Sequence, residues 1–356
     1  MKYQCAHRWV VKKWGAALEP VDDELTPIAG HEVTVRVTHC GMCHSDLHVQ
    51  AGGFDLGGGR FASIEASGCK LPVTMGHEIV GEVVAIGPEV QGVSLGTNVI
   101  VYPWLGCGEC ATCLTGEEQL CPGGSRSLGV RAPGGYADLV RVRHERYLVP
   151  FGNLDPARAA TFACAGVTAF DAIRKLPAAS AQEWVAVVGC GGVGQTGVAL
   201  LSVTSKSRIL AVDPDPAKRA AALRHGATMA IDPGAEGALA EVAKTCGGAI
   251  TGVVDFVGSE PSSAFAVNIV RRGGKVVIVG LFGGEFRLPL PMFVTKQLTV
   301  SGSYVGGLPL LRELVELAQH TDLPSIPTEL RPLHSVNQAL DDLAHGRVVG
   351  RVVLQP

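Results

Sequence analysis

The sequence has no block of like charge, no internal repeat and no low-complexity tract. A formal net charge of −3 spread along 356 residues gives no electrostatic footprint for nucleic acid or an anionic membrane, which points to a small-molecule partner. Nothing in the opening "MKYQCAHRWVVKKWG" reads as a secretory leader: its apolar stretch is too short and no small-residue cleavage site follows, so a cytoplasmic location is expected. The longest apolar run, "WVAVVGCGGVGQTGVALL", is interrupted by Gln195 and Thr196. It reads as strand, glycine turn and helix rather than a membrane span. In a reducing compartment, the eleven cysteines are better candidates for metal ligation, catalysis or core packing than for disulfides.

The length exceeds what one hydrophobic core usually supports, so two domains are expected. The first half is strand-rich, with "EVTVRVTHC", "HEIVGEVVAIG", "NVIVYPW" and "YADLVRV" separated by turn residues, the texture of a β-barrel-like domain. From about Pro156 helix-period segments such as "ARAATFACAGVTAFDAIRKL" alternate with the short apolar runs "WVAVVG", "RILAVD", "GVVDFVG" and "GKVVIVG". That alternation predicts parallel strands with helices on both faces, a doubly wound α/β fold. Two further helical patterns, "LPLLRELVELAQ" and "SVNQALDDLAHG", precede a closing apolar strand.

Gly189, Gly191 and Gly194 stand in G-x-G-x-x-G register between a predicted strand and a predicted helix, with Gly192 and Val193 inside the turn. The first glycine permits the tight turn, the second lets backbone approach a pyrophosphate, and the third lets helix and strand pack closely. Asp213, 24 positions after Gly189, ends the next strand, where a carboxylate accepts from ribose hydroxyls and repels a 2′-phosphate. The expected coenzyme is NAD rather than NADP. Lys218 is placed to reach the same ribose or to serve as a solvated helix lysine.

Cys107, Cys110, Cys113 and Cys121 form C-x2-C-x2-C-x7-C, a spacing that closes a tetrahedral structural zinc site. An iron–sulfur cluster is the rival, although the fourth cysteine does not follow the ferredoxin pattern. "THCGMCHSDLH" (residues 38–48) contains C-x-x-C-H, which by itself admits haem attachment, thiol exchange or metal ligation.

Taken together, "CGMCHSDLH", "GHEIVGEVVAIG", the four-cysteine lobe, "GCGGVG" and "VVGRVVL" resemble the zinc-dependent alcohol dehydrogenases of the medium-chain dehydrogenase/reductase family over nearly the whole length. The resemblance implies a GroES-like β-barrel catalytic domain (1–165 and 303–356) and an inserted Rossmann NAD-binding domain (166–302). It implies a catalytic zinc on Cys43, His77 and Cys164, with an open fourth position, Glu78 as a transient ligand, and Asp46 as the carboxylate that orients His77. Two zinc ions per chain follow, one catalytic and one structural. Zinc acts as a Lewis acid that stabilises an alkoxide, from which hydride passes reversibly to the nicotinamide.

A proton relay through Ser45, the nicotinamide ribose and His48 is expected on the same grounds. His44 and Arg351 match positions that contact the pyrophosphate, and Thr168 one near the carboxamide. Phe54 and Trp104 are expected walls of an apolar substrate pocket. The C-x-x-C-H is then a coincidence of spacing, with Cys43 alone a ligand and Cys40 ending a strand.

The glycine-rich segment from Gly52 to Pro72 separates Cys43 from His77 more widely than is usual in the family and is read as a lid, a specificity element or a plain surface insertion. Its Cys69 is a candidate for exposure and oxidation, whereas most of the other spare cysteines, Cys5, Cys40, Cys190 and Cys246, read as buried thiols. Alternatives are a polyol dehydrogenase, an aldehyde or ketone reductase of the same family, and a non-catalytic NAD- or zinc-binding relative. A homodimer or homotetramer is expected, with a leaning to the tetramer.

Overall fold

The structure is a computed structural model that describes residues 5–356; residues 1–4, the start of the opening "MKYQCAHRWVVKKWG" that does not read as a leader, lie outside the described residues. No helix among the described residues is long and apolar enough to cross a membrane.

Five strands of the strand-rich first half and two from the C-terminal tail form a seven-stranded sheet. Its path runs Leu148–Pro150, Asn98–Val101, Glu78–Ile86, Val33–Gly41, Arg351–Gln355 and Thr328–Pro332. One flank of Val33–Gly41 is shared: residues 33–36 pair with Leu139–Val142, and Cys40 and Gly41 pair with the C-terminal strand. The closing apolar strand therefore completes the sheet begun near the N-terminus. A three-stranded sheet, Glu19–Glu24, Cys5–Val11 and Val73–Thr74, adjoins it through Trp9 N–H to Tyr136 C=O at 2.8 Å.

The second half is a six-stranded parallel sheet in the order Met229–Ile231, Arg208–Val212, Trp184–Val188, Ile250–Asp255, Lys275–Ile278, Thr299–Gly302. In chain order this is 3-2-1-4-5-6, the dinucleotide-binding arrangement, with its crevice where the order reverses after Trp184–Val188. Trp184–Val188 and Ile250–Asp255 are buried along their whole length, as central strands covered on both faces must be.

The helix expected over 157–176 is continuous in path but changes pitch. Pro156–Thr161 and Val167–Arg174 are α-helical, and residues 162–166 between them form a π-turn. Such turns bulge the backbone outward and recur at functional sites; this one carries Cys164.

Candidate active site and metal centres

Three separate pieces of chain bring the expected catalytic ligands together. Cys43 caps the helix His44–Ala51, His77 and Glu78 open the strand Glu78–Ile86, and Cys164 projects from the π-turn. One donor atom from each of these four buried side chains lies within 4.8 Å of the others. Neither ring nitrogen of His77 has a hydrogen-bond partner, although the residue is fully buried. Orphaned nitrogens beside two thiols are costly unless a cation takes a lone pair, so the residues present fit a zinc ion.

Asp46 does more than face His77. Its Oδ1 lies 3.5 Å from His77 Nδ1, while Oδ2 accepts from Cys43 N–H and from the Tyr136 hydroxyl, both at 2.9 Å. One buried carboxylate thus ties the Cys43 turn to the His77 segment. Burial alone would discharge His77, but Asp46 and the Cys43 sulfur outweigh it and hold the imidazole well above its usual range. Cys43 is driven well below the ordinary thiol range, chiefly by a hydrogen bond from Cys164, whose own thiol is raised in return.

Glu78 and Arg351 form a buried ion pair through Oε2 and Nη2. This refines two expectations. Glu78 lies among the ligands but is held by Arg351, and the Arg351 guanidinium, expected to face a pyrophosphate, is engaged with Glu78. Arg351 is nevertheless next to the glycine turn, since a Cβ on Gly192 would lie 2.3 Å from its Cδ. Burial pushes the Glu78 carboxyl up to about 7 against the opposing pull of Arg351.

The glycine turn has distinct local geometry at each of its three positions. Gly189 has φ +83°, a methyl placed on Gly191 would meet nothing within 4 Å, and a Cβ on Gly194 would lie 1.8 Å from Gly189 O. Open space at Gly191, at the N-terminus of the helix Gly192–Thr204, is a cradle that a side chain would fill and a pyrophosphate can use. Asp213 is buried at the end of its strand; its oxygens accept from Cys190 N–H at 2.7 Å and Asp215 N–H at 2.8 Å. Lys218 reaches Asp215 at 3.8 Å. His44 begins its helix with an accessible edge, while desolvation of its ring by the surrounding protein holds the imidazole below the ordinary range; the Cys43 sulfur opposes this, and Arg351, His48 and Lys218 add to it. Thr168 is buried with an unpaired hydroxyl.

Ser45 Oγ lies 3.7 Å from Cys43 Sγ. His48, half-buried in the last turn of the same helix, has its pKa lowered by burial and packs on Phe54 with ring centroids 4.7 Å apart. Trp104 is buried, 5.4 Å from the His77 ring and 5.9 Å from Tyr304. Tyr136 and Tyr304 escape sequence reasoning, because an isolated tyrosine carries no spacing signal.

The four lobe cysteines also bring their sulfurs within 4.8 Å of one another, with Cys107 and Cys113 Sγ 3.7 Å apart. Backbone N–H groups of Glu109 and Cys110 bring the Cys107 thiol down to about 6, whereas burial pushes Cys113 up to about 12. A donor set of this kind fits a closed zinc site. Cys69, by contrast, corrects an expectation. It is fully buried, with Sγ 2.7 Å from Val130 O, because its loop folds back on the barrel.

Residues 29–153 match the alcohol dehydrogenase GroES-like domain, and residues 192–320 match the zinc-binding dehydrogenase family. The chain is 33% identical to an NAD-dependent alcohol dehydrogenase of Sulfurisphaera tokodaii over 96% of its own length and 97% of that protein. It is 34% identical to the NAD-dependent alcohol dehydrogenase of Saccharolobus solfataricus over 92% of its length and 93% of the relative. The crystal structure of the alcohol dehydrogenase from Aeropyrum pernix superimposes with a TM-score of 0.88 at 30% identity, covering 98% of this chain and 100% of that one.

Proposed function

Because the chain belongs to the zinc-dependent alcohol dehydrogenases of the medium-chain dehydrogenase/reductase family, we propose that Cys43, His77 and Cys164 hold its catalytic zinc and Cys107, Cys110, Cys113 and Cys121 its structural zinc. The activity is the reversible oxidation of an alcohol by NAD to an aldehyde or ketone, with release of one proton. The observation that carries the residue assignment is the buried Cys43–His77–Cys164 donor set lying, through the Glu78–Arg351 pair, against the glycine turn.

When bound, zinc supplies Lewis-acid polarisation of a substrate oxygen and NAD takes up the hydride. The rest falls to side chains. Asp46 fixes the orientation of His77 and the Cys43 turn together. Ser45, two residues beyond Cys43, receives the hydroxyl proton, and His48 is the outer group that passes it to solvent, the nicotinamide ribose linking the two when NAD is bound. Trp104 walls the substrate side of the site. Gly189–Gly194 cradle the pyrophosphate, with His44 beside it, Asp213 and Lys218 bind the adenosine ribose, and Thr168 receives the carboxamide. Arg351 neutralises Glu78 at the junction and lends its charge to the pyrophosphate side.

Domain limits of 1–165 with 303–356, and 166–302, belong to the same reading, supported by the pairing of the C-terminal strand with Cys40 and Gly41. So does a cytoplasmic homodimer or homotetramer. Its support is the edge strand Thr299–Gly302 and the helix Leu290–Lys296 leading into it, which has no buried residue and leaves Leu290 and Val294 exposed.

Zinc content and NADH formation test the ligand assignment together. Cys164→Ala is expected to lose turnover and one zinc per chain, and Cys113→Ala to lose the other zinc and thermal stability. Full zinc and wild-type turnover in Cys164→Ala would refute the catalytic set.

A further inference from the structure

The segment between Cys43 and His77 forms a hairpin, Gly53–Gly57 with Arg60–Ser63. Its foot stands on the catalytic half. Gly52 backs onto Trp14, where a Cβ would lie 2.9 Å from the indole, Ile64 N–H donates to Gly52 C=O at 3.0 Å, and Phe54 covers His48.

Its tip reaches the coenzyme-binding half. Arg60 Nη2 donates to Glu285 Oε1 at 3.0 Å. A Cβ on Gly57 would lie 2.9 Å from the Gly284 carbonyl carbon, and one on Gly283 would lie 2.8 Å from Asp55 O. Two close approaches and an ion pair therefore join the halves, with glycine on both sides. Residues 281–288 follow the strand Lys275–Ile278, so the junction lies off the carboxyl end of the parallel sheet, where this fold binds its ligand.

We propose that the hairpin is a strap across the mouth of the cleft: its Arg60–Glu285 fastening holds the two halves closed over the coenzyme, and Phe54 is a positioning residue that fixes the ring of His48. The second part rests on the reading of His48 as the outer proton acceptor. Phe54 then acts on the reaction through His48. Coenzyme exchange requires the fastening to open, and because Arg60 and Glu285 are partly exposed, each single loss is expected to speed release about two- to fivefold.

Stopped-flow NADH release from the zinc-loaded enzyme tests the strap with Arg60→Glu, Glu285→Arg and the charge-swapped double variant. Faster release in both single variants, with recovery in the double, supports it; wild-type release in the singles, or additive acceleration in the double, overturns it. For Phe54, kcat and its pH profile are followed in Phe54→Ala and Phe54→Tyr. A lower kcat and a displaced acid limb in Phe54→Ala, restored by Phe54→Tyr, support the positioning role. A change confined to the KM for alcohol makes Phe54 a pocket wall and overturns it. His48→Gln separates the two readings: an unaltered pH profile there removes the proton role of His48, while the release rates still decide the strap.

Discussion

Gly191 and Gly194 stand three residues apart in one turn, yet replacing each with alanine should fail in a different way. At Gly191 the backbone, φ −69° and ψ −168°, accepts any residue, and a Cβ meets nothing within 4 Å. Folding should be unharmed or slightly favoured, by up to about 1 kcal/mol. The methyl does occupy the space needed by the coenzyme pyrophosphate, and displacing one hydrogen bond to a charged oxygen costs about 1.5–3 kcal/mol. NADH affinity should therefore fall about 10- to 100-fold. At Gly194 the methyl would lie 1.8 Å from Gly189 O, so helix and strand must separate. Overpacking of that kind costs about 1–3 kcal/mol, a drop of several degrees in thermal midpoint. NADH fluorescence titration and calorimetry on both variants read the two effects separately. Wild-type NADH affinity in Gly191→Ala, or wild-type thermal stability in Gly194→Ala, would refute the assignment of one glycine to ligand and the other to packing.

Asp213→Asn removes the charge that opposes a 2′-phosphate while keeping an acceptor near Cys190 N–H; the kcat/KM ratio of NADP to NAD should rise at least about tenfold, and an unchanged ratio would clear Asp213 of the choice. Burial disfavours the charged imidazole of His48, so its folded pKa lies below the ordinary histidine value of about 6.5. Alcohol oxidation needs the neutral ring and should fall as pH drops through that lowered pKa. His48→Gln should erase this acid limb and slow kcat by up to about 100-fold, as read from pH–rate profiles.

How far each feature is legible in the sequence follows from how local its physics is. The glycine turn, Asp213 and the lobe cysteines each lie within one short stretch, and spacing alone sets their geometry. The alternating strands after Pro156 likewise declare a parallel sheet. Cys43, His77 and Cys164 are far apart, and only resemblance to a family joins them. The π-turn under Cys164 leaves no mark, because its residues have ordinary helical preferences. Nor can pattern reveal that Tyr136 completes the Asp46 network or that Arg351 turns to Glu78, since both depend on chain segments meeting across the fold. Cys69 misleads for the same reason: a glycine-rich loop reads as exposed until Ile64 and Cys69 are seen packed against the barrel.

The most direct test is NADH and NADPH formation with a panel of primary, secondary and polyhydric alcohols, with zinc per chain measured on the same sample. Turnover of simple alcohols with NAD well above NADP is expected, at about two zinc ions per chain. Absence of turnover from protein carrying both zinc ions would contradict it and favour a binding protein that keeps the fold without the chemistry.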